Sequence, residues 1–528
     1  MLRRRYSVLP TIALLAMILV GTFCFAQEEG HYGGTLVIAT AKDASGLDPG
    51  TTNDNASTMI YEQIFDCLIA FDKDFNIIPS IAESWDVNED STIWTFHLRS
   101  GVHFHDGTDL TAEDVAYTFD RILNKPELAS QKRSQIVMIN TITVLDALTV
   151  QFELSFPYAP FLGATGQGIV SKAAAEAAGA EFTRNPIGSG PFKFVEWVPD
   201  DHVTLVRNED YWMKRPYLET VIFRPIPENT VAIMSLMTDE VNVIELVAGD
   251  MVPILQANPD IVVQQVEGMN YYWIGFRQYA SPYTNVKFRQ MVNSAIDMDG
   301  IIANVLLNGT GSRAYGVVPP GLWPRDLDFM KANAIQQDKE LAKQLFAELI
   351  AEGVMTSETE VVFHVNQDAV RELIGEIIVS ELQSIGVNAV LKISEWAAYL
   401  DAVIKTEEPC MYMLGTTPKI PDPDAVFSWL FSSGEDGSTH GSLILGLSEQ
   451  PEINQLLLEA RTTPDQSQRE ELYKEIQRWA ITENAYHIPA FHLSVTMAHS
   501  TKVHGLVALP SQIWMLCTET ANVWVDGN

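Results

Sequence analysis

Short strand-like segments alternate with longer helical segments along the chain, and this alternation constrains the fold more than any other feature. Residues 35–40 form an apolar, β-branched run that follows two glycines, a pattern typical of a buried strand. Residues 338–351 and 369–385 carry apolar side chains every three or four positions, as amphipathic helices do, and are followed by Gly353 and Gly386. The sequence therefore predicts a mixed α/β fold.

Two further segments, 360–365 and 485–497, are typical of strands. Thr111, with Asp114 three residues later, indicates the capped start of a helix at 111–122.

Charge and composition exclude several broad classes of protein. The chain has 528 residues, with 34 Lys or Arg against 68 Asp or Glu, which gives a formal net charge of -34. This balance argues against a nucleic-acid-binding protein, whose contact surface would be basic. The 47% of hydrophobic residues is typical of a folded protein rather than a disordered one. The length predicts about two to four domains.

The first 26 residues have the layout of a secretory signal peptide. Three arginines precede an apolar run over residues 8–25, and Ala26 stands where a signal peptidase would cut. An uncleaved membrane anchor is the alternative, because a run of about 18 residues nearly spans a bilayer. Lipid attachment at Cys24 is disfavoured, because the bulky Phe23 precedes it. The sequence predicts a protein that is exported and then released.

Sequence motifs of catalysis are missing. The chain has no Gly-x-Ser-x-Gly, no His-Glu-x-x-His and no phosphate-binding loop. His103 and His105 could face one side of a strand beside Asp106, but a zinc site needs a further protein ligand, so a strand end at the surface is favoured. Three cysteines follow the apolar run: Cys67, Cys410 and Cys517. Their long spacing allows at most one disulfide and resembles no metal or redox pair. The sequence predicts neither an enzyme nor a metal site.

Four closely spaced segments carry a family resemblance. They read PSIAESW at 79–85, WTFHLR at 94–99, GVHFHDG at 101–107 and LTAEDV at 110–115, with GGTL at 33–36 and GSGPF at 188–192 in support. In this succession the chain resembles the bacterial extracellular solute-binding proteins of family 5, which include dipeptide-, oligopeptide- and nickel-binding components of ABC importers. The resemblance covers essentially the whole chain after residue 26, and it makes the two histidines a surface feature of the family.

The resemblance implies the fold of a two-lobed periplasmic binding protein of class II, similar to cluster C. Two α/β lobes are joined by crossing strands, and the N-terminal lobe carries an extra small subdomain. On this pattern we expect lobe I at 27–277, with the subdomain at about 60–185, lobe II at 278–487, and a return to lobe I at 488–528. A ligand that contacts both lobes only in the closed state favours that state.

The resemblance also implies a function. We expect the substrate-binding component of an ABC importer, a periplasmic monomer that captures a peptide or peptide-like solute and delivers it to a permease in the inner membrane. An oligosaccharide, another non-peptide organic solute or a nickel chelate is the alternative ligand. Neither a cofactor, a catalytic step nor a nucleic-acid partner is implied.

A loop at 415–424 is the first candidate ligand contact. Peptide-binding members of the family hold the ligand's α-amine with an aspartate just before an Asp-Pro-Asp-like loop. Asp422 and Asp424 match that loop, but the amine-binding position falls at Lys419. A lysine there favours a carboxylate, a phosphate or a neutral polar ligand group. A shift of the alignment by three residues would instead give Asp422 the amine.

Five further side chains are candidate ligand contacts by the same resemblance. Trp396 and Tyr399 stand three residues apart, where an aromatic ring could stack on a peptide side chain or a sugar ring or pack in the core. Arg371 lies near the position of an arginine that binds the ligand carboxylate in dipeptide-binding members, although a partner on its own helix is the alternative. Arg277 is another possible anion-binding residue, and Trp514 is either a pocket wall or a core residue.

Overall fold

The computed structural model describes residues 30–432 and 451–526, apart from residues 74, 129, 131, 419 and 520. The expected signal peptide at 1–26 and the candidate Lys419 lie outside the described residues. No helix among the described residues is long and apolar enough to span a membrane.

Strands occur along the whole described chain. They are β1 (Thr35–Thr40), β2 (Ile69–Phe71), β3 (Ile77–Pro79), β4 (Ala82–Val87), β5 (Ile93–Leu98), β6 (Ile139–Asp146), β7 (Thr149–Leu154), β8 (Phe192–Val198), β9 (His202–Arg207), β10 (Thr220–Pro225), β11 (Val243–Ile244), β12 (Ile261–Glu267), β13 (Tyr271–Phe276), β14 (Gly311–Arg313), β15 (Glu360–Asn366), β16 (Asn388–Ser394), β17 (Met411–Thr416), β18 (His487–Ser500), β19 (Val503–His504) and β20 (Trp524–Val525).

Helices alternate with these strands, so the predicted mixed α/β fold is confirmed. They are α1 (Asn55–Tyr61), α2 (Ala112–Asn124), α3 (Phe161–Ala164), α4 (Lys172–Ala178), α5 (Asn229–Met237), α6 (Val252–Gln256), α7 (Val286–Ala295), α8 (Met298–Val305), α9 (Leu327–Asn333), α10 (Lys339–Ala351), α11 (Ala369–Ser384), α12 (Trp396–Leu400), α13 (Asp424–Phe431), α14 (Pro451–Thr462) and α15 (Gln466–Gln477). Short π-helical turns at Asp401–Lys405 and Arg478–Glu483 extend α12 and α15.

One large sheet runs through the molecule and has two halves. Its strand order is β16-β15-β17-β13-β18-β11-β1-β10-β9-β8, with β12 and β14 paired to β18. The first part of β18, residues 487–491, pairs with β13, and its last part, residues 494–500, pairs with β12. The chain passes from β12 to β13 through residues 268–270. This segment and the middle of β18 are therefore two connections that cross between the halves.

Each half contains parallel strands buried in its own apolar core. In the first half β1 lies parallel to β10 and β11, and Leu36 and Val221 are among its fully buried side chains. In the second half β15 lies parallel to β16 and β17, and Phe363 and Met413 are fully buried. Parallel strands need both faces covered, which explains why helical segments separate them in the sequence.

A separate four-stranded sheet, in the order β4-β5-β7-β6, packs against α2. Its core contains Phe152, whose ring lies 5.6 Å from that of Phe96 and 5.0 Å from that of Phe119. The helix α2 begins where the sequence indicates a cap, because Asp114 Oδ2 accepts hydrogen bonds from Thr111 N at 3.0 Å and Thr111 Oγ1 at 2.9 Å. We call this unit, β4 to β7 with α2 and α3, the small-sheet region.

Asn270 joins the two crossing connections. Its Nδ2 donates to the carbonyl of Leu493 at 2.8 Å, and its Oδ1 accepts from the backbone N–H of Leu493 at 2.7 Å. The N–H of Gly268 donates to the same carbonyl at 3.0 Å. One side-chain amide therefore binds both backbone groups of Leu493 where the strands change sheets.

Candidate functional site

The carboxyl ends of both sets of parallel strands face the crossing connections. In the second half Thr416, which ends β17, pairs with Tyr271, the first residue after the 268–270 segment. In the first half Ile244, which ends β11, pairs with Ala498 of β18. The two edges therefore both lie next to the crossing connections, and we call the region between them the cleft. Open α/β sheets bind ligands at such carboxyl ends.

Arg371 lies at the second-half edge of this cleft. Its helix, α11, begins just after β15, and Arg371 Nη1 donates to Asn366 Oδ1 at 2.6 Å. The guanidinium carbon lies 5.6 Å from the ring centroid of Tyr272 and 5.7 Å from that of Trp396. Two aromatic rings and an amide thus orient the guanidinium, which has five N–H donors in all. This arrangement is chemically suited to a carboxylate.

Trp396 and Tyr399 lie in different surroundings although one short helix carries both. The Trp396 side chain follows the end of β16 and is 46% exposed. Tyr399 is fully buried, and its hydroxyl donates to the carbonyl of Met413. Burial raises the pKa of Tyr399, so its hydroxyl stays protonated. The indole of Trp396 is therefore open to solvent, whereas Tyr399 packs in the core with its ring 5.9 Å from that of Trp396.

Asp422 is buried and paired with an arginine. Arg469 binds it through both carboxylate oxygens, with Nη1 to Oδ2 at 2.9 Å and Nη2 to Oδ1 at 2.7 Å. Burial opposes the charge of Arg469, but the neighbouring Asp422 carboxylate raises the pKa of that guanidinium above its usual value. Burial also raises the pKa of the Asp422 carboxyl, and the charge of Arg469 with its hydrogen bonds opposes that rise. Asp422 therefore already has a cationic partner.

Asp424 is also buried and has several partners. Its carboxylate accepts from Ser428 Oγ at 2.5 Å, from Tyr158 OH at 3.2 Å and from Arg461 Nε at 3.3 Å. Its backbone N–H donates to Asp422 Oδ1 at 2.9 Å. The two aspartates of the expected ligand loop therefore belong to one buried polar cluster, and one of its hydrogen bonds joins the two residues within the loop.

Arg277 and Trp514 are buried away from these groups. Arg277, just after β13, donates its backbone N–H to Cys410 O at 2.8 Å and its side chain to Thr406 O, and its guanidinium carbon lies 4.6 Å from the ring centroid of Tyr279. Trp514 packs in the first-half core. The structure thus brings Arg371 and Trp396 together at the cleft edge and places these two residues elsewhere.

Sequence reasoning missed several residues of this region. Tyr272 and Asn366 frame Arg371, and Arg461 and Arg469 neutralise the two aspartates. Arg469 is 47 positions from Asp422 in the chain, so no local spacing indicates the pair. Asn366 ends a strand that the sequence does predict, and a polar side chain at the carboxyl end of a parallel strand was a usable signal.

The two histidines singled out in the sequence lie apart from the cleft edge. His103 Nδ1 is 2.8 Å from Asp109 Oδ1, and both side chains are exposed. His105 Nε2 lies 3.0 Å from the carbonyl of Gly190, and burial lowers the pKa of His105 to about 4. Among the described residues, no group of three or more His, Cys, Asp or Glu side chains could hold a metal ion. Cys67, Cys410 and Cys517 are free thiols.

Comparisons with known proteins agree with this architecture. The dipeptide-binding protein of Escherichia coli (strain K12) is 30% identical over 481 residues, covering 84% of this chain and 86% of that protein. Heme-binding protein A of Haemophilus influenzae is 28% identical over 522 residues, covering 92% of each. The structure of DppA from Helicobacter pylori in complex with the peptide STSA matches with a TM-score of 0.74 at 26% identity, covering 94% of this chain and 99% of that one.

A family model also matches most of the chain. The model described as "Bacterial extracellular solute-binding proteins, family 5 Middle" matches residues 76–438. The predicted two-lobed periplasmic-binding-protein fold and the family resemblance are confirmed. Proteins of this family are periplasmic binding proteins of transport systems and not enzymes. The chain belongs to the bacterial extracellular solute-binding proteins of family 5.

Proposed function

We propose that this protein captures a peptide or peptide-like solute between its lobes and delivers it, as a monomer, to the permease of an ABC importer. The cleft between the two carboxyl edges supports this function, because a solute held there contacts both lobes. The names of the relatives support the ligand class, since one is a dipeptide-binding protein and another was solved with a peptide. Export through a cleaved signal at residues 1–26 fits delivery outside the cytoplasm.

We propose lobe boundaries at the crossing connections. Hydrogen bonding changes from one half of the sheet to the other at 268–270, and β18 changes partners between residues 491 and 494. We therefore place lobe II between these two points, so that β13 belongs to lobe II rather than to the end of lobe I. We further propose that the small-sheet region, which has its own core, is the extra subdomain expected at about 60–185.

Arg371 is the observation that carries the proposed ligand chemistry. It stands at the cleft edge between Tyr272 and the exposed Trp396, so a solute carboxylate can bind the guanidinium while an apolar group packs on the indole. Asp422 and Asp424 each have an arginine partner, which disfavours either as the partner of a ligand ammonium. Lys419 is the remaining loop candidate, and it favours an anionic or neutral group.

Calorimetric titration of the ligand-stripped protein with the tetrapeptide STSA and with simple dipeptides tests this proposal. The Arg371→Ala variant should bind the best of these peptides at least about tenfold more weakly, because a charge-assisted bond to a carboxylate contributes about 1.5–3 kcal/mol. Arg478→Ala is the matched control, since Arg478 is an exposed arginine that also lies on an aromatic ring, that of Phe329. Equal affinities of the two variants would remove Arg371 from the site.

A non-peptide solute is the second candidate. The exposed indole of Trp396 would stack equally well on a sugar or another planar ring, and one relative is a heme-binding protein. An oligosaccharide, heme or a nickel chelate that binds one-to-one where peptides give no heat would favour this alternative.

A further inference from the structure

Residues 420–425, which we call the contact loop, reach from lobe II into the small-sheet region. Ile420 is 6% exposed and belongs to the apolar core of that region, together with Phe161 and Ala164. Ile420 also lies close to Gly163, since a Cβ added at Gly163 would be 3.0 Å from Ile420 Cγ2. Ala425, one turn further on, packs against the same core. Side chains of a lobe II loop therefore pack in the apolar core of the small-sheet region.

A polar contact accompanies this apolar one. The hydroxyl of Tyr158, in the small-sheet region, donates to Asp424 Oδ2 at 3.2 Å. The other side-chain partners of that carboxylate, Ser428 and Arg461, belong to lobe II. When the lobes separate, Asp424 keeps a hydroxyl and a guanidinium and loses the tyrosine. The contact can therefore break without leaving a buried charge unpaired, which would be far more unfavourable.

A backbone hydrogen bond completes the contact. The N–H of Ala159 donates to the carbonyl of Arg461 at 2.8 Å, and the guanidinium carbon of Arg461 lies 5.9 Å from the ring centroid of Tyr158. Burial, followed by the nearby Asp424 charge, holds the pKa of Tyr158 well above its usual value. Its hydroxyl is therefore a donor throughout the physiological pH range.

We propose that Tyr158 and Ile420 form an interlobe latch that holds the contact loop against the small-sheet region in the ligand-free protein. Tyr158 and Ile420 are thus positioning residues, and they stabilise the approach of the two lobes through contacts that the solute does not make. The latch rests on the two-lobe arrangement proposed above but not on the identity of the solute.

Hydrogen–deuterium exchange of the ligand-stripped protein measures the latch directly, because the Ala159 amide is bonded across the lobes. Tyr158→Phe should lower the protection factor of the segment containing Ala159 several-fold and leave β5 and β7 of the small sheet unchanged. Ile420→Ala should have the same local effect through the apolar contact. The matched control is Tyr211→Phe, which removes a tyrosine hydroxyl bonded at 2.9 Å to the buried Asp66 within lobe I. It should leave the Ala159 segment as in the parent protein.

Two results would overturn the latch. One is unchanged protection at Ala159 in both Tyr158→Phe and Ile420→Ala. The other is a loss of protection that extends equally to β5 and β7, which would mean that the two residues only stabilise the small-sheet region. Because no ligand is added, failure here leaves the peptide titrations untouched, and failure of those titrations leaves the exchange result valid.

Discussion

At the residue scale, buried charge pairs determine which side chains of the contact loop are available to bind a ligand. Asp422 is held by both terminal nitrogens of Arg469, whose Nε also donates to the carbonyl of Ala460 at 2.8 Å. The backbone N–H of Asp424 adds a third bond to this carboxylate, which has about four acceptor positions, so little capacity is left for a ligand ammonium. For this reason we propose Arg371 and Lys419, rather than the two aspartates, as the ligand contacts.

Removing one member of this pair should destabilise the fold strongly. We expect Arg469→Met to lower the free energy of unfolding by about 3–5 kcal/mol, because it leaves the buried Asp422 charge without its partner. Urea unfolding followed by circular dichroism measures this loss. The double variant Asp422→Asn with Arg469→Met removes the charge as well and should recover at least half of it. A single variant as stable as the parent would show that the Asp422 carboxylate is not held in this way.

At the element scale, the sequence predicts individual helices and strands well. Residues 35–40 form β1, and the helices expected at 338–351 and 369–385 are α10 and α11. Both helices are followed by glycines with positive φ, 70° at Gly353 and 99° at Gly386, which is the backbone conformation that such helix ends favour. Local periodicity was sufficient here because each element buries one face of its own.

The crossing connections could not be predicted from local patterns. The last strand was expected at 485–497, but β18 runs to Ser500 because β11 and β12 pair with its final residues. Asn270 joins residues that are 223 positions apart in the chain, and neither partner has a sequence signature. Pairing between distant strands depends on which faces meet in the folded chain, and this information is not local.

Gly268 provides a test of the crossing geometry. A Cβ at this position would lie 2.3 Å from Leu493 O and 2.3 Å from Asn270 Nδ2, so one crossing connection would have to move. Gly268→Ala should therefore lower the free energy of unfolding by about 1–3 kcal/mol in urea denaturation. Gly166→Ala is the matched control, since its Cβ would meet its nearest neighbour at 3.4 Å, an ordinary contact. Equal stability of the two variants would contradict the close approach at the crossing.

At the scale of the whole molecule, the fold could be predicted, but the site only in part. The four motif segments between residues 79 and 115 identify the family, and the family determines the two lobes. Among the candidate contacts, only Arg371 and Trp396 come together in the described residues at the edge of the cleft. Tyr399 and Trp514 had the right residue type for a ligand wall but are buried in the cores, because an aromatic side chain suits either environment.

The most direct test of the proposed function is native mass spectrometry of the mature, ligand-stripped protein incubated with a pool of peptides two to nine residues long. We predict one-to-one complexes with a subset of these peptides, because a cleft closed by two lobes holds a single solute. Equimolar pools of oligosaccharides, heme and nickel–histidine serve as parallel probes. Saturable one-to-one binding in one of these pools, with no complex in the peptide pool, would contradict a peptide ligand and assign the cleft to another class of solute.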